Sequence, residues 1–271
     1  LWPGHIGAFT VVIGKHYSNF DTSDLPFSYI TESGGRSVLT PAMNLFAVGT
    51  QRDSAKWPGR DRRADPDKLD LIVFDFLSPY TIGKVLRAIE LLRGLHDKAP
   101  KKAEFVAHKG IAIKRLLVRN ACRHYELAVN VFIGEQLASR IKGLATDASL
   151  REVRARLVAP VQGGGDWLDI AGMLAPADAI RRLGEAIAGG DISSLDEIHR
   201  ELRFIHEGYA GAAWSWCARL IEQRLGIPMR GITPEHLVAL VTRWREAAVR
   251  LTNMVLGDAA KEFDPSSMIG Y

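Results

Sequence analysis

Histidine and aspartate side chains near the start of the chain have the types and spacing that acid–base chemistry requires. His16 is followed by Asp21 and Asp24, and His5 lies a short way upstream. A neutral imidazole can take a proton from a hydroxyl or an amine, while a nearby carboxylate orients the ring. We therefore predict His16 as a general base that Asp21 or Asp24 orients. The alternative is a set of surface residues in a loop.

A cluster of basic side chains in the segment 51–70 has the chemistry of an anion-binding site. Guanidinium groups bind phosphate or carboxylate through paired N–H donors. The predicted anion ligands are Arg52, Lys56, Arg60, Arg62 and Arg63. The alternative is a structural network, since aspartates lie among these residues: Asp53, Asp61, Asp65 and Asp67. Pro58 and Pro66 interrupt the segment, which favours an ordered loop over one continuous helix.

Motifs of the common enzyme classes are missing from the sequence. It has no Gly-rich phosphate loop followed by Lys and Ser or Thr, no CxxC pair, no HExxH and no GxSxG. His199 and His206 fall on one predicted helix face without a third ligand at a matching spacing, so we expect no metal site. The residues identify no cofactor. Tyr209, Trp214 and Trp216 follow an apolar helical pattern and are predicted to pack in a core.

Composition and charge argue against several classes of protein. The 35 basic and 31 acidic residues give a net charge of +4, which is too weak to predict nucleic-acid binding. Cys122 and Cys217 lie in helix-like apolar patterns and predict buried thiols in a reducing compartment. We predict neither a membrane span nor a signal peptide, and therefore expect a cytoplasmic protein without a membrane partner. The chain opens without Met, and we expect a truncated start.

The elements that would position these residues begin as strands. Short β-branched or aromatic runs separated by Gly, Pro and Asn predict strands at 10–13, 27–30, 36–39, 45–48 and 71–74. Within this β-rich start, residues 6–11 fit the hexapeptide pattern of a left-handed parallel β-helix. In that pattern a small aliphatic residue points inward and Gly relieves a tight corner.

Helices are predicted from the Ser78-Pro79 dipeptide onward, because serine before proline is typical of a helix N-terminus. That helix should run to about residue 95, and an amphipathic helix should follow over 111–141. Pro176 and Thr233-Pro234 should each begin another helix. Two capping boxes predict further helix starts, at Ser149 with Glu152 and at Ser194 with Glu197, the second helix running to about Gly226.

Several longer stretches look familiar: LWP (1–3) with IGAF (6–9), DTSDLPFSY (21–29), VGTQRDSAKWP (48–58), LSPYTI (77–82), WLDIAG (167–172) and KEF (261–263). Together they resemble the carboxy-terminal part of a large uncharacterised family of bacterial proteins. In that family a left-handed β-helix of the trimeric hexapeptide-transferase type precedes a helical tail. The resemblance covers nearly the whole chain.

The resemblance implies an α+β fold, with terminal rungs of a left-handed parallel β-helix plus a mainly α-helical bundle domain. The implied ranges are 1–50 for the end of the β-helix, 51–77 for a basic connecting loop and strand, and 78–271 for the helical domain. Short connections between the helices favour antiparallel neighbours, as in a bundle.

Two alternative functions follow from the resemblance. In the first, the protein is an enzyme resembling acyl- or nucleotidyl-transferases, acting on a nucleotide sugar or a phosphorylated metabolite. His16 would be the general base and the Arg and Lys set would hold a substrate phosphate, at a site between the subunits of a trimer. In the second, the helical part is a non-catalytic module that caps the open end of the β-helix and mediates homo-oligomer contacts.

Overall fold

The computed structural model describes residues 4–64, 68–145, 147–160 and 164–262. The strands are β1 (Val11–Ile13), β2 (Tyr29–Ser33), β3 (Arg36–Thr40), β4 (Phe105–His108), β5 (Ile111–Lys114), β6 (Trp167–Ile170) and β7 (Met173–Pro176). The helices are α1 (Val48–Arg60), α2 (Pro79–Lys98), α3 (Arg115–Ile141), α4 (Leu150–Leu157), α5 (Ala177–Gly189), α6 (Leu195–Glu207), α7 (Tyr209–Leu225) and α8 (Pro234–Glu262). Helices account for 58% of the residues that the structure describes, which confirms the α+β class.

The larger sheet is mixed, with the strand order β1-β2-β3-β5-β4. The β1–β2 and β3–β5 pairs are parallel, while β2–β3 and β4–β5 are antiparallel. Rungs of a left-handed β-helix over residues 1–50 are therefore not confirmed, because the described residues there form a mixed sheet and no solenoid. The reason is the turn at Gly34 and Gly35, whose φ angles of 59° and 77° reverse the chain so that β3 runs back along β2.

Residues 5–33, here called the stacked segment, contain the parallel pairing of β1 with β2. Val11 lies opposite Tyr29 and Ile13 opposite Thr31, so that paired residues are 18 positions apart in the chain. The rings of Phe9 and Phe27 stack at 5.2 Å with the same separation, and these residues have φ angles of 55° and 54°. A left-handed backbone is costly for a bulky residue, so the surrounding packing must hold both rings in place.

A tight hairpin between β4 and β5 contacts the end of the stacked segment. Its two-residue turn consists of Lys109 and Gly110, which have φ angles of 39° and 86°, the backbone that a hairpin of this length requires. The carbonyl of Lys109 accepts a hydrogen bond from the Asp21 amide at 3.1 Å. A side chain at Gly110 would collide with the Asn19 carbonyl, so only glycine allows this approach.

Two short segments differ from the sequence expectation. The strand predicted at 45–48 is instead a 3-10 turn (Met43–Leu45) followed by the start of α1. Residues 51–60, predicted as part of a loop, belong to α1, with Pro58 near its C-terminal end. Asp258 accepts a hydrogen bond from the Val48 amide at 3.0 Å, which satisfies an N–H at the start of α1. Because Asp258 is 210 residues away in the chain, no local pattern could show this contact.

The strand predicted at 71–74 also does not form. Among the described residues of this segment, Val73 donates one backbone hydrogen bond, to the Gly172 carbonyl at 3.0 Å, and no ladder follows. This short apolar run is therefore extended chain that is hydrogen-bonded to the turn between β6 and β7, and it does not become a strand.

The predicted helix starts are largely confirmed. α2 begins at Pro79 and α8 at Pro234. Both capping boxes are formed, with Ser149 and Ser194 each accepting a hydrogen bond from the amide three residues later. The helix predicted from 111 begins at Arg115, since residues 111–114 pair as β5. The helix predicted to run from Ser194 to Gly226 is divided into α6 and α7 at Gly208.

The chain forms two compact units. The first consists of Leu1–Lys56, Thr81–Val131 and Arg245–Tyr271, and its fully buried side chains include Leu25, Phe27, Ile30 and Tyr125. The second consists of Trp57–Tyr80 and Phe132–Trp244. Its core contains Trp167, Leu174 and Ala213, against which Tyr209 and Trp216 pack. Trp214 is also buried, so the predicted core role of these aromatic residues is confirmed. The domain ranges 1–50, 51–77 and 78–271 stay a prediction.

Two further expectations concern the burial of the cysteines and the presence of membrane-spanning helices. Cys122 and Cys217 are buried free thiols, as predicted, and burial raises the pKa of both. None of the described helices has the length and apolar character that crossing a membrane requires.

Candidate functional site

His16, the predicted general base, is hydrogen-bonded through both ring nitrogens. Its Nδ1 lies 2.9 Å from Ser37 Oγ and its Nε2 lies 3.2 Å from the Ile13 carbonyl oxygen. The ring also meets Phe20 edge-on, with centroids 5.9 Å apart. A carbonyl can only accept, so Nε2 carries a proton and Nδ1 is left to the Ser37 hydroxyl. The neutral ring therefore has no free lone pair with which to take a proton from a substrate.

Asp21, which was predicted to orient His16, is engaged elsewhere. Its Oδ1 accepts hydrogen bonds from the Ser23 amide at 3.0 Å and from Ser23 Oγ at 2.6 Å. Its Oδ2 accepts from Lys109 Nζ at 2.7 Å. The bonds from Lys109 and Ser23 hold the pKa of the Asp21 carboxyl well below its usual range. Asp21 is thus ionised at neutral pH and fixes the β4–β5 hairpin to the stacked segment.

Asp24, the second predicted carboxylate, pairs with a helix of the same unit. Its Oδ1 lies 3.0 Å from Arg87 Nε on α2, and both side chains are partly exposed. One turn earlier on α2, Lys84 donates a hydrogen bond from Nζ to the Ser23 carbonyl at 3.1 Å. The aspartates predicted as catalytic therefore lie among cations from α2 and from the hairpin, and His16 does not bond to either.

The imidazole that shares the electrostatic environment of these aspartates is His108. It ends β4, directly before Lys109, and is half-buried. Burial lowers the pKa of His108 and the charge of Lys109 lowers it further, while the charges of Asp21 and Asp24 act in the opposite direction. The net result is a pKa of His108 below its ordinary value, although the charges of two carboxylates act on the ring. We call His108, Lys109, Asp21, Asp24 and Arg87 the charged cluster.

Sequence reasoning missed His108 because its position depends on the hairpin. One local signal was present: a Lys-Gly dipeptide separates two short apolar runs, and a two-residue turn ending in glycine is typical of a β-hairpin. That pattern predicts the hairpin itself. It does not predict where the hairpin docks.

The predicted anion-binding set is divided by the structure. Arg52, Lys56 and Arg60 recur at four-residue intervals along α1 and are exposed. Arg52 makes one long contact, 3.5 Å, with the adjacent Asp53. Arg62 is also exposed. No anion site is assembled from these side chains within the described part of the chain.

Arg63 follows the alternative interpretation, a structural network. Its guanidinium binds both carboxylate oxygens of Asp61, at 2.9 and 2.8 Å, and donates to the Asp70 carbonyl at 2.8 Å. Lys68 adds a contact to Asp61 at 3.3 Å. The hydrogen bonds from Arg63 hold the pKa of Asp61 well below its usual range. Asp65 and Asp67, the remaining members of that alternative, lie outside the described residues.

A second group of titratable side chains, in the second unit, has no sequence signal. Tyr209 Oη donates to Asp75 Oδ2 at 2.8 Å, and its ring meets Trp167 edge-on at 5.7 Å. Burial raises the pKa of Tyr209, and the charge of Asp75 raises it further. Glu135 is exposed, yet partial desolvation by the protein raises the pKa of its carboxyl, and the charge of Asp75 raises it further. This group can hold a proton at a higher pH than an isolated glutamate.

Metal chemistry has no matching site among the residues that the structure describes. Within them, no three His, Cys, Asp or Glu side chains come together as a metal-binding group. The side chains of the charged cluster can supply proton transfer, by His108, and charge pairing, by its neighbours.

Comparisons with known proteins connect the chain to uncharacterised families. Residues 1–96 match a domain of unknown function (DUF4954), and residues 149–271 match a second domain of unknown function (DUF6819). An uncharacterized protein of Treponema pallidum (strain Nichols) is 21% identical over 268 residues, covering 86% of this chain. The chain spans 36% of the length of that relative. No solved structure matches the chain.

Proposed function

We propose that the first unit closes one end of a left-handed parallel β-helix, as a non-catalytic capping module. The observation that carries this proposal is the register of the stacked segment, in which β1 pairs in parallel with residues 18 positions later. A triangular coil built from three hexapeptides takes about 18 residues per turn. β1 and β2 therefore have the pairing that successive turns of such a coil would have.

Two glycines support the same register. A Cβ atom added at Gly7 would lie 2.6 Å from the Leu25 carbonyl oxygen, and one added at Gly14 would lie 3.1 Å from Glu32 Cβ. Each glycine faces the residue 18 positions later, as Phe9 faces Phe27. Close approach of one turn to the next at a glycine is typical of tight corners in β-solenoids.

The strands after the stacked segment supply the closure. A parallel stack leaves unpaired N–H and C=O groups on its last strand, and such an edge invites pairing with other chains. Here β3 turns back and pairs along the whole of β2, from Tyr29 with Thr40 to Ser33 with Arg36. β5 then covers the far side of β3. The salt bridge between Lys109 and Asp21 ties this cover to the stack.

Truncation tests the capping role. The protein shortened after Asp75 loses β4 and β5, so β3 becomes an exposed edge, and we expect aggregation that light scattering detects. A second truncated protein carrying Thr40→Lys places a charge on that edge and should aggregate less. A soluble truncated protein with the same assembled mass as the intact one would contradict the proposal. The same mass measurement tests the predicted homo-oligomer.

Acyl or nucleotidyl transfer is the second proposal, with His108 in place of His16. The supporting observation is that the charges of Asp21 and Asp24 act on His108, whereas both nitrogens of His16 are hydrogen-bonded. Replacing His108 with Ala should abolish turnover of an acyl or nucleotidyl donor while leaving the fold intact, and His16→Ala should leave turnover unchanged. The opposite pattern would restore His16 as the base and remove His108.

A further inference from the structure

Basic side chains collect around the start of helix α3 in the first unit. The loop before β4 is joined to this helix by two hydrogen bonds from Arg115, its first residue. The Arg115 amide donates to the Glu104 carbonyl at 2.9 Å, and Arg115 Nη1 donates to the Lys101 carbonyl at 3.4 Å. The cations of this loop, of the end of β5 and of the first turns of α3 are here called the basic surface: Lys101, Lys102, Lys114, Arg115, Arg119 and Arg123.

The outward side of α3 carries Leu116, Arg119 and Arg123. Their spacing of three and four residues places them on adjacent turns, over about 10 Å of the helix. All three are exposed, whereas Val118 and Cys122 between them are buried. The cations on α3 therefore lie on the solvent side of the helix, and its opposite side packs in the core.

Nearby carboxylates leave this surface with a positive charge. Residues 101–126, all of which the structure describes, contain two of them, Glu104 and Glu126. Glu126 pairs with Arg93 of α2 at 3.5 Å. Glu104 forms no ion pair with a described residue. The cations of the basic surface therefore outnumber the carboxylates beside them.

The cations themselves are not held in ion pairs within the described part of the chain. The side-chain hydrogen bonds of Arg115 and Arg123 go to uncharged oxygen atoms, at 3.4 and 3.5 Å. Lys109, in the nearby β4–β5 turn, differs because it pairs with Asp21 at 2.7 Å. The basic surface is therefore complementary to an anionic partner.

Leu116 protrudes from the middle of this surface. It exposes 88% of its area, the largest fraction among the exposed large apolar side chains of the described residues. A single exposed leucine is ordinary on a protein surface. A leucine among cations without ion pairs has the composition of a membrane-binding surface. There the apolar side chain enters the headgroup region while the cations attract anionic lipids.

A nucleic acid fits the same surface less well. The exposed side chains of residues 101–126 include no aromatic ring on which a base could stack. The phosphate backbone of a nucleic acid is charged and hydrated, so it offers no apolar environment to Leu116. An anionic bilayer supplies both the negative charge and that environment.

From these observations we propose that the basic surface and Leu116 bind the face of a bilayer that contains anionic phospholipids. The contact is peripheral, since the protein lies on the membrane without crossing it. It revises the expectation that the protein has no membrane partner. The proposal does not rest on the capping role, because exposed side chains carry it and the pairing of strands does not.

Sedimentation of the intact chain with vesicles tests this surface. We expect binding to vesicles that contain about one quarter phosphatidylglycerol, and none to phosphatidylcholine alone. Raising the salt from about 0.05 M to about 0.5 M should release the protein, because it screens the cations. Arg119→Glu should weaken binding by roughly tenfold or more, since each charge near an anionic membrane contributes about fivefold. Leu116→Ser should weaken it by about fivefold, independently of salt, because the lost contact is apolar.

Matched controls come from exposed residues of the second unit. Arg182→Glu on α5 and Leu195→Ser on α6 make the same changes outside the basic surface. Both should bind vesicles like the intact protein, and circular dichroism should show an unchanged fold in all variants. An intact protein that does not bind the anionic vesicles, or a control that loses as much affinity as its counterpart, would overturn the proposal. Full vesicle affinity of Leu116→Ser, with tighter binding of duplex DNA than of vesicles at the same salt, would assign the surface to nucleic acid instead.

Discussion

The stacked segment and helix α6 use their side chains in opposite ways. In the stacked segment Leu25, Phe27 and Ile30 are fully buried, and Gly7 meets the backbone of a residue 18 positions later. Helix α6 has no buried residue and lines a cavity with charged groups. The packing of buried side chains determines the stacked segment, whereas helix α6 carries its charged groups at the surface.

Because of this difference, substitutions in the stacked segment should affect folding, whereas substitutions on helix α6 should affect the chemistry of the surface. Large effects on stability come from overpacked cores, lost buried hydrogen bonds and strained backbone, and surface changes are usually small. Equivalent substitutions in the two units should therefore differ mainly in the free energy of unfolding. Three pairs of substitutions test that expectation, in order of decreasing difference between the two members.

Glycine to alanine should show the largest contrast. At Gly7 the new Cβ would lie 2.6 Å from the Leu25 carbonyl oxygen and 2.8 Å from that of Thr22, both backbone atoms that cannot move aside cheaply. We expect Gly7→Ala to lower the free energy of unfolding by about 3 kcal/mol. Gly184→Ala on α5 meets no atom within 4 Å and should raise it by about 0.5 to 1 kcal/mol. Urea denaturation measures both, and similar values would remove the distinction between the two regions.

Tyrosine to phenylalanine tests buried against exposed hydrogen bonds. Tyr125 is fully buried and donates to the Pro26 carbonyl at 2.6 Å, while Tyr209 donates to the exposed Asp75 carboxylate. Tyr125→Phe should cost about 1.5 kcal/mol, because it removes a donor from a buried carbonyl. Tyr209→Phe should cost about 0.5 kcal/mol, since water can replace the lost donor. Thermal unfolding of the two variants checks the difference, and a larger cost at Tyr209 would contradict it.

Aspartate to asparagine separates an anchored ion pair from an exposed one. Asp21 accepts three hydrogen bonds and is partly covered, whereas Asp178 and its partner Arg181 are 67% and 59% exposed. At pH 7 we expect Asp21→Asn to cost about 1 kcal/mol and Asp178→Asn to cost about 0.3 kcal/mol. Both are measured as free energies of unfolding.

The Asp21 effect should also depend on pH in one direction. Folding lowers the pKa of Asp21, so its contribution is complete above the unfolded value of about 3.9 and declines as the pH falls further. The difference between the intact protein and Asp21→Asn should therefore shrink below about pH 4. A difference that stays constant down to strongly acidic pH would mean that the ion pair does not stabilise the fold.

Local signals in the sequence were enough for several helix starts. Ser149 with Glu152 and Ser194 with Glu197 form the predicted capping boxes, because each involves atoms only three residues apart. The β-branched runs near Val11 and Val38 were likewise recognisable as strands. Patterns of this kind depend only on residues that are close in the sequence, so they can be recognised from the sequence alone.

Contacts between distant residues account for what the sequence did not show. Helix α1 starts where Asp258 accepts from the Val48 amide, and Asp75 meets Tyr209 across 134 positions. The β4–β5 hairpin, which carries His108, reaches Asp21 through Lys109 in its turn, a contact across 88 positions. The exposure of Phe204 likewise depends on tertiary packing, because the spacing of apolar residues along α6 predicts only an ordinary amphipathic helix.

The last prediction concerns Glu135 in the second unit. Crowding and the charge of Asp75 raise the pKa of its carboxyl. A carboxyl whose pKa is raised by folding favours the folded state while protonated. Its contribution is therefore present below the unfolded pKa of about 4.3 and is lost as the pH rises through the folded value. Because Glu135 remains partly exposed, solvent screening limits the effect to about 0.5 kcal/mol.

Glu135→Gln should accordingly stabilise the protein slightly at pH 8 and make no difference at pH 4, as measured by urea denaturation at both values. Asp75→Asn is the matched change, because it keeps an acceptor for Tyr209 and removes only the neighbouring charge. Nuclear magnetic resonance titration of Glu135 should then show a lower pKa than in the intact protein. An unchanged titration would mean that burial alone raises the pKa, and that Asp75 and Glu135 do not act on each other.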